Sequence, residues 1–220
     1  MWAKGVTTRV NITQKILFDT YDELTERANI DLDFLLRTIA AAVICSFGFK
    51  MNSAPVIVGA MVLSPLIYPV ICAGAATYRA DWGTLALALR TFAIGFLIAV
   101  TAAAIVSIFY ATTFRSEISD RLSGEVLDYF FVALFSGLAG TYGVFSPKIH
   151  DTIAGIAISV ALIPPIVMLG IGLGVGIVAQ NTDIIFTSSK IVLWNICGIF
   201  LGSVVMIAIL HIVVRKRGEF

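Results

Sequence analysis

Apolar residues run in long, nearly uncharged stretches at positions 34–49, 54–77, 84–110, 129–145, 149–179 and 191–214, separated by short polar ones. Most of these stretches approach the ~20 residues that a helix needs to cross a hydrocarbon core. The pattern predicts six hydrophobic helices and an all-α fold, a polytopic membrane helix bundle. Ahead of them, Ile12, Ile16, Leu17, Leu24 and Ala28 recur at helical spacing among Lys, Asp and Glu. That spacing predicts an amphipathic helix over residues 11–29, either lying on the bilayer surface or packing on another domain. Asp31 and Asp33 then supply capping carboxylates to the helix that follows.

The one sizeable polar connection, residues 113–128, divides the stretches three and three. The expected organisation is a cytoplasmic N-terminal segment (1–33), a first membrane repeat (34–112), the connection, a second repeat (129–214) and a basic cytoplasmic tail (215–220). The middle stretch of each half carries proline: Ser64-Pro65 with Pro69 in the first, Pro164-Pro165 in the second. Proline in a helix removes a backbone donor and clashes with the preceding turn, so each middle segment is predicted to break. Sliding the second half back by 99 residues lays Pro164 on Pro65, Leu162 on Leu63, Asp151 on Asn52 and Thr152 on Ser53, and the last stretch on the third. This is an internal repeat. Three crossings per half would invert the second half relative to the first, as in many secondary transporters. Two re-entrant hairpins would instead leave the halves parallel. Lys and Arg count nine inside to four outside for both arrangements, which places both termini in the cytoplasm and leaves the choice open.

Composition agrees with membrane residence: 59% of residues are hydrophobic and 13% charged, and mean hydropathy is +0.96. Soluble domains average about a quarter charged residues. The formal net charge of +1 offers no clustered basic face for nucleic acid. Cys45, Cys72 and Cys197 are odd in number and lie in apolar runs, which argues against a disulfide framework or thiolate metal site. No signal-peptide pattern opens the chain, so the first hydrophobic helix is expected to direct insertion, as in a multi-pass inner-membrane protein of a prokaryote.

The proline breaks carry the candidate chemistry, because backbone groups freed in hydrocarbon must be satisfied by protein, water or ligand. The carbonyls of Leu63, Ser64 and Ile163 would face a cation such as Na+, and the amides around Ile67 and Val167 an anion. The alternative is a pair of plain kinks that help helices pack. Asn52, Ser53, Asp151 and Thr152 flank the two segments as substrate contacts or as simple helix caps. His150 beside Asp151 could relay a proton, making H+ a second candidate coupling ion. Arg37 and Arg90 are the cations embedded in hydrophobic stretches, placed to attract an anion or merely to snorkel. Asn195, in the last stretch, must find a partner inside the bundle. Gly170, Gly172, Gly174 and Gly176 lack the spacing of a nucleotide loop and read as a close-packing face. No zinc helix, nucleophile elbow or Walker loop is present, so an enzyme is not expected.

The segments Val58-Gly59-Ala60-Met61-Val62-Leu63-Ser64-Pro65-Leu66-Ile67-Tyr68-Pro69 and Gly155-Ile156-Ala157-Ile158-Ser159-Val160-Ala161-Leu162-Ile163-Pro164-Pro165 together resemble the prokaryotic domain-of-unknown-function 389 family. The resemblance implies a multi-pass membrane domain, often preceded in relatives by a cytosolic domain of which this chain carries little. It supplies no substrate. The expectation is therefore a secondary transporter or channel-like permeator of a small polar or anionic solute, without cofactor, embedded in the lipid bilayer as a homo-oligomer. The alternative is a membrane-embedded regulatory or scaffold protein.

Overall fold

The computed structural model describes residues 14–110, 114, 126–146, 151–179 and 182–216, with side chains described within 17–110, 114, 127–146, 162–178 and 185–214. Among the described residues every regular element longer than a turn is an α-helix: α1 (Gln14–Arg27), α2 (Leu32–Lys50), α3 (Ala54–Leu63), α4 (Ile67–Arg79), α5 (Trp82–Phe109), α6 (Val126–Val144), α7 (Asp151–Ala179) and α8 (Thr182–Lys216). Four of them, α2, α5, α6 and α8, are long and apolar enough to cross a bilayer, and α3 with α4 makes a fifth if the bent pair counts as one span. Leu162–Val178 of α7 is a shorter apolar stretch.

The amphipathic helix forms, and its apolar stripe of Leu17, Tyr21, Leu24 and Ala28 is buried. It packs against α4 of the same chain. The expected cap is present: Asp31 Oδ1 accepts from the Phe34 amide at 2.6 Å and starts α2. A second aspartate, Asp81, caps α5 in the same way by accepting from the Thr84 amide.

Helix directions follow from named contacts. α2 and α5 run the same way, with Phe34 against Gly95 near one end and Phe47 edge-on to Tyr110 at the other. α6 and α8 also run together: Gly198 faces Ala133, Gly202 faces Leu134 and Leu138, and Thr141 donates to Ser203 Oγ at 3.0 Å. Between these sets the packing is reciprocal. On α7, Gly170 lies against Val100 and Ala103 of α5, and Gly174 against Ala104 and Ser107. On α4, Gly74 lies against Ser203 of α8, and one turn later Tyr78 stacks on His211 at 4.6 Å. So α5 runs with α7, and α4 runs with α8. Because α4 and α5 are joined by a tight turn at Ala80 and Asp81, they are antiparallel, and α4 and α7 therefore point in opposite directions.

Of the two predicted breaks, only the first occurs. α3 and α4 meet at a 55° bend, whereas α7 continues for 29 residues straight through Pro164 and Pro165. Spacing explains the difference. Pro65 disfavours helical geometry at Ser64, whose ψ is 127°, and Pro69, one turn on, falls in the first turn of α4, where a missing amide costs little. One proline thus ends a helix and the other suits the start of the next. In α7 the prolines are adjacent, and their fixed φ is compatible with helix, so only the carbonyls of Val160 and Ala161 lose their helical donors.

The bend is far from a reversal. α2 ends at Lys50, whose ammonium sits 3.4 Å from the Tyr110 ring centroid, so α3 begins at the end where α5 finishes. α4 finishes where α5 begins. The bent pair accordingly runs the length of α5, a 28-residue helix of roughly 42 Å at 1.5 Å per residue.

Candidate functional site at the two proline motifs

The first motif satisfies its own hydrogen bonds. Without Pro65 N–H the Met61 carbonyl accepts instead from Ser64 N–H at 3.3 Å, and without Pro69 N–H the Pro65 carbonyl accepts from Tyr68 N–H at 3.3 Å. Ser64 Oγ takes the Leu66 amide, also at 3.3 Å. Because Tyr68 N–H turns to Pro65, the Ser64 carbonyl loses the amide that a continuous helix would have offered it. Ser64, Pro65 and Leu66 are buried, and the Leu66 side chain fills the space opposite Gly95, where a Cβ would come within 2.5 Å of it.

Beside this turn lies a cavity of about 290 Å³ lined by Glu26, Arg27, Asn29, Asp31, Asp33, Phe34, Arg37 and Tyr68. Arg27 connects α1 to the break: Nη1 donates to Tyr68 Oη at 3.0 Å, and Nη2 is paired with Glu23 at 2.6 Å. Arg37 is held by Asp33, Nε to Oδ2 at 2.9 Å. Both pairs are solvent-facing, so each contributes little to stability. Their consequence is electrostatic, since two guanidiniums here meet three lining carboxylates. An anion finds no surplus of positive charge.

The far end of α1 is pinned beside the α4–α5 turn. Arg79 lies between Phe18 and Tyr21, 4.7 and 4.3 Å from the ring centroids. Tyr21 Oη donates to Asp81 Oδ2 at 2.9 Å, which also accepts from Thr84 Oγ1 at 2.8 Å. Donation from the Thr84 amide, then from the Thr84 and Tyr21 hydroxyls, holds the Asp81 carboxyl below its usual value. Burial of the Tyr21 phenol pushes its pKa up.

The second motif lines a different cavity, of about 260 Å³, with Asp128, Tyr129 and Val132 of α6, Pro164, Pro165 and Met168 of α7, and Asn195 of α8. Asn195 is 2% exposed, and its Nδ2 has no hydrogen-bond partner among the described residues. Thr91 Oγ1 on α5 and Ser188 Oγ on α8 are buried and unpartnered in the same sense.

The sequence-predicted residues thus fall into three groups. Leu63, Ser64, Pro65 and Arg37 gather at or beside the first break, and Ile163, Pro164, Pro165 and Asn195 at the second motif. The carbonyl expected at Ile163 is a correction, because in an unbroken helix it points to the Val167 amide. Asn52 and Ser53 stand apart: Asn52 is exposed in the α2–α3 turn with φ 48°, and Ser53 precedes α3 without a side-chain cap bond. They are one ten-residue helix, roughly 15 Å, from the break. Arg90 is exposed on α5. Asp151 and Thr152 open α7, but their side chains and all of His150 lie outside the described residues. Sequence reasoning missed Arg27, Tyr68, Asp128 and Tyr129 as cavity residues. Tyr68 stood within the proline motif and Tyr129 at the start of an apolar stretch, while Arg27 and Asp128 read as ordinary polar flanks.

Comparison with known proteins places this arrangement. A model of the family described as Domain of unknown function (DUF389) matches residues 61–201, more than half of the chain and inclusive of both proline motifs. An uncharacterised protein of Methanocaldococcus jannaschii is 22% identical over 191 residues, covering 86% of this chain and 57% of that one. The chain thus spans a little over half the length of the curated relative it matches. No solved structure matches it.

Proposed function

The chain belongs to the domain of unknown function 389 family, and from that premise and the geometry of its two proline motifs we propose that it is a secondary transporter or channel-like permeator of a small polar solute. The observation that carries this reading is that α4 and α7, the middle helices of the two halves, run in opposite directions while each motif borders its own cavity. Antiparallel middle segments are the signature of an inverted repeat, and such repeats place solute sites at their interface near the midplane. The two cavities are of about 290 and 260 Å³, near the lower bound for small-molecule sites. We read them as solute vestibules beside an apolar centre in which Leu66, Ile163 and Ile166 are all fully buried.

In this reading α3–α4 and α7 cross the membrane, both termini are cytoplasmic, and the protein sits in the inner membrane as a homo-oligomer. Solute movement is driven by Na+ or H+. The Ser64 carbonyl at the end of α3, where the helix dipole is negative, is the first candidate contact for a cation. Uptake by purified protein in liposomes, under an imposed Na+ or pH gradient and across a panel of small solutes, tests the proposal. Flux should depend on one of the gradients and fall at least tenfold in Ser64→Leu, which fills the turn and removes the Leu66 acceptor. If no gradient drives uptake of any solute, the transport reading fails and the chain is better regarded as a scaffold.

A further inference from the structure

The cavity at the second proline motif is chemically unlike the first. Among the described residues that line it, Asp128 with its exposed carboxylate is the one charge, and none is a cation. Val132, Met168, Pro164 and Pro165 make most of its wall apolar. The Asn195 amide that borders it is almost wholly buried, with an N–H group that meets no acceptor among the described residues. A buried amide donor left unpaired is costly, and helices that bury one normally supply an acceptor across the interface. Asn195 borders the cavity together with residues of α6 and α7.

A complementary ligand therefore has three parts: a donor or cation for Asp128, an apolar body, and an acceptor for Asn195. We infer that this cavity binds a small amphipathic amine bearing a hydrogen-bond acceptor, in chemical class an amino alcohol, and that it discriminates against anions. The Asp128 carboxylate would hold the ammonium at the mouth, the walls would take the methylenes, and the hydroxyl oxygen would accept from Asn195 Nδ2. The inference deepens the transport reading by naming its solute class, while binding itself requires no transport. The same head-group chemistry could come from a free solute or from the ethanolamine of a phospholipid.

Ligand-observed NMR with the full chain in phosphatidylglycerol nanodiscs tests this, using 4-amino-1-butanol, n-butylamine, 1-butanol and butyrate as probes of similar length. The amino alcohol should bind at least about tenfold more tightly than butyrate, with butylamine and butanol between, as expected when single charged or neutral hydrogen bonds are removed. Asn195→Leu, a change of similar volume, should erase the advantage of the amino alcohol over butylamine, and Asp128→Asn its advantage over butanol. Unchanged thermal unfolding of Asp128→Asn, an exposed substitution, keeps the test informative if Asn195→Leu folds poorly. Competition by phosphatidylethanolamine, when it replaces half the lipid, identifies the head group as the source, and its absence identifies a free solute. Equal or tighter binding of butyrate, or indifference of the ranking to both substitutions, overturns the inference. Solute flux without amino-alcohol binding would remove this inference alone, and binding without any flux would remove the transport reading alone.

Discussion

At Ser64-Pro65 and at Pro164-Pro165 the same residue type has opposite outcomes, and the deciding factor is the spacing of the prolines, one turn apart in the first motif and adjacent in the second. Around Pro65 the Ser64 and Tyr68 amides reach back to the orphaned carbonyls and the Ser64 hydroxyl accepts the Leu66 amide. Ala80 carries another local cost: at φ 55° and ψ 31° it ends α4 in the left-handed region, which disfavours any side chain. Ala80→Gly should raise stability by up to about 1 kcal/mol, read as a higher unfolding temperature in detergent; a decrease would contradict the left-handed turn. Asp81 makes a pH prediction. Its folded pKa is lowered by the Thr84 and Tyr21 donors, so its stabilising contribution is complete above the ordinary carboxylate value of 3.8 and is lost as pH falls through the lower folded value. Protection of α1 from proteolysis should drop on that acid side in the wild type more steeply than in Asp81→Asn; identical profiles would show that the Tyr21–Asp81 bond does not hold the helix. Of these residue-scale features, the Asp31 cap and the proline motifs were legible in the sequence. The second motif reads as a break because each proline removes a helical donor, yet an adjacent pair at helical φ interrupts only two bonds and the helix continues. Asn195 was legible as a residue needing a partner, but not as one whose Nδ2 meets none among the described residues.

Helix pairing is set by small residues. A Cβ on Gly170 would come within 2.5 Å of the Val100 carbonyl oxygen, and one on Gly74 within 2.8 Å of Ser203 Cβ. Gly59, on the exposed side of α3, has nothing within 4 Å. Gly170→Val should therefore destabilise by about 1–3 kcal/mol, because backbone must move, whereas Gly59→Ala should be neutral or stabilise by about 0.5–1 kcal/mol through helix propensity. Thermal unfolding of the two variants side by side checks the pair, and equal effects would contradict the α5–α7 crossing. The glycine run was readable as a packing face, because four-residue spacing places Gly170 and Gly174 on one side of α7. Its partner was not, since any helix with a row of small residues would serve. The amphipathic helix likewise announced its apolar stripe without saying that α4 would cover it.

Across the whole molecule, α5 packs on α7 and α8 packs on α4, and this reciprocal pairing is the basis of the inverted architecture we propose for the two halves. Charge counting could not choose between crossing and re-entry, because the exchange of Arg79 and Lys148 with Arg115 and Arg121 is neutral. The direction of the bent segment favours the crossing we propose: α3 starts at the end of α5 marked by Lys50 and Tyr110, and α4 finishes at the other. Single cysteines at Asn52 and Gly83, both exposed, test this most directly when placed in a background lacking Cys45, Cys72 and Cys197. Labelling with a membrane-impermeant maleimide in right-side-out and inverted vesicles should reach Asn52→Cys and Gly83→Cys from opposite faces of the membrane. Labelling of both from the same face would mean that the broken segment returns to the side it entered, and would contradict the inverted architecture.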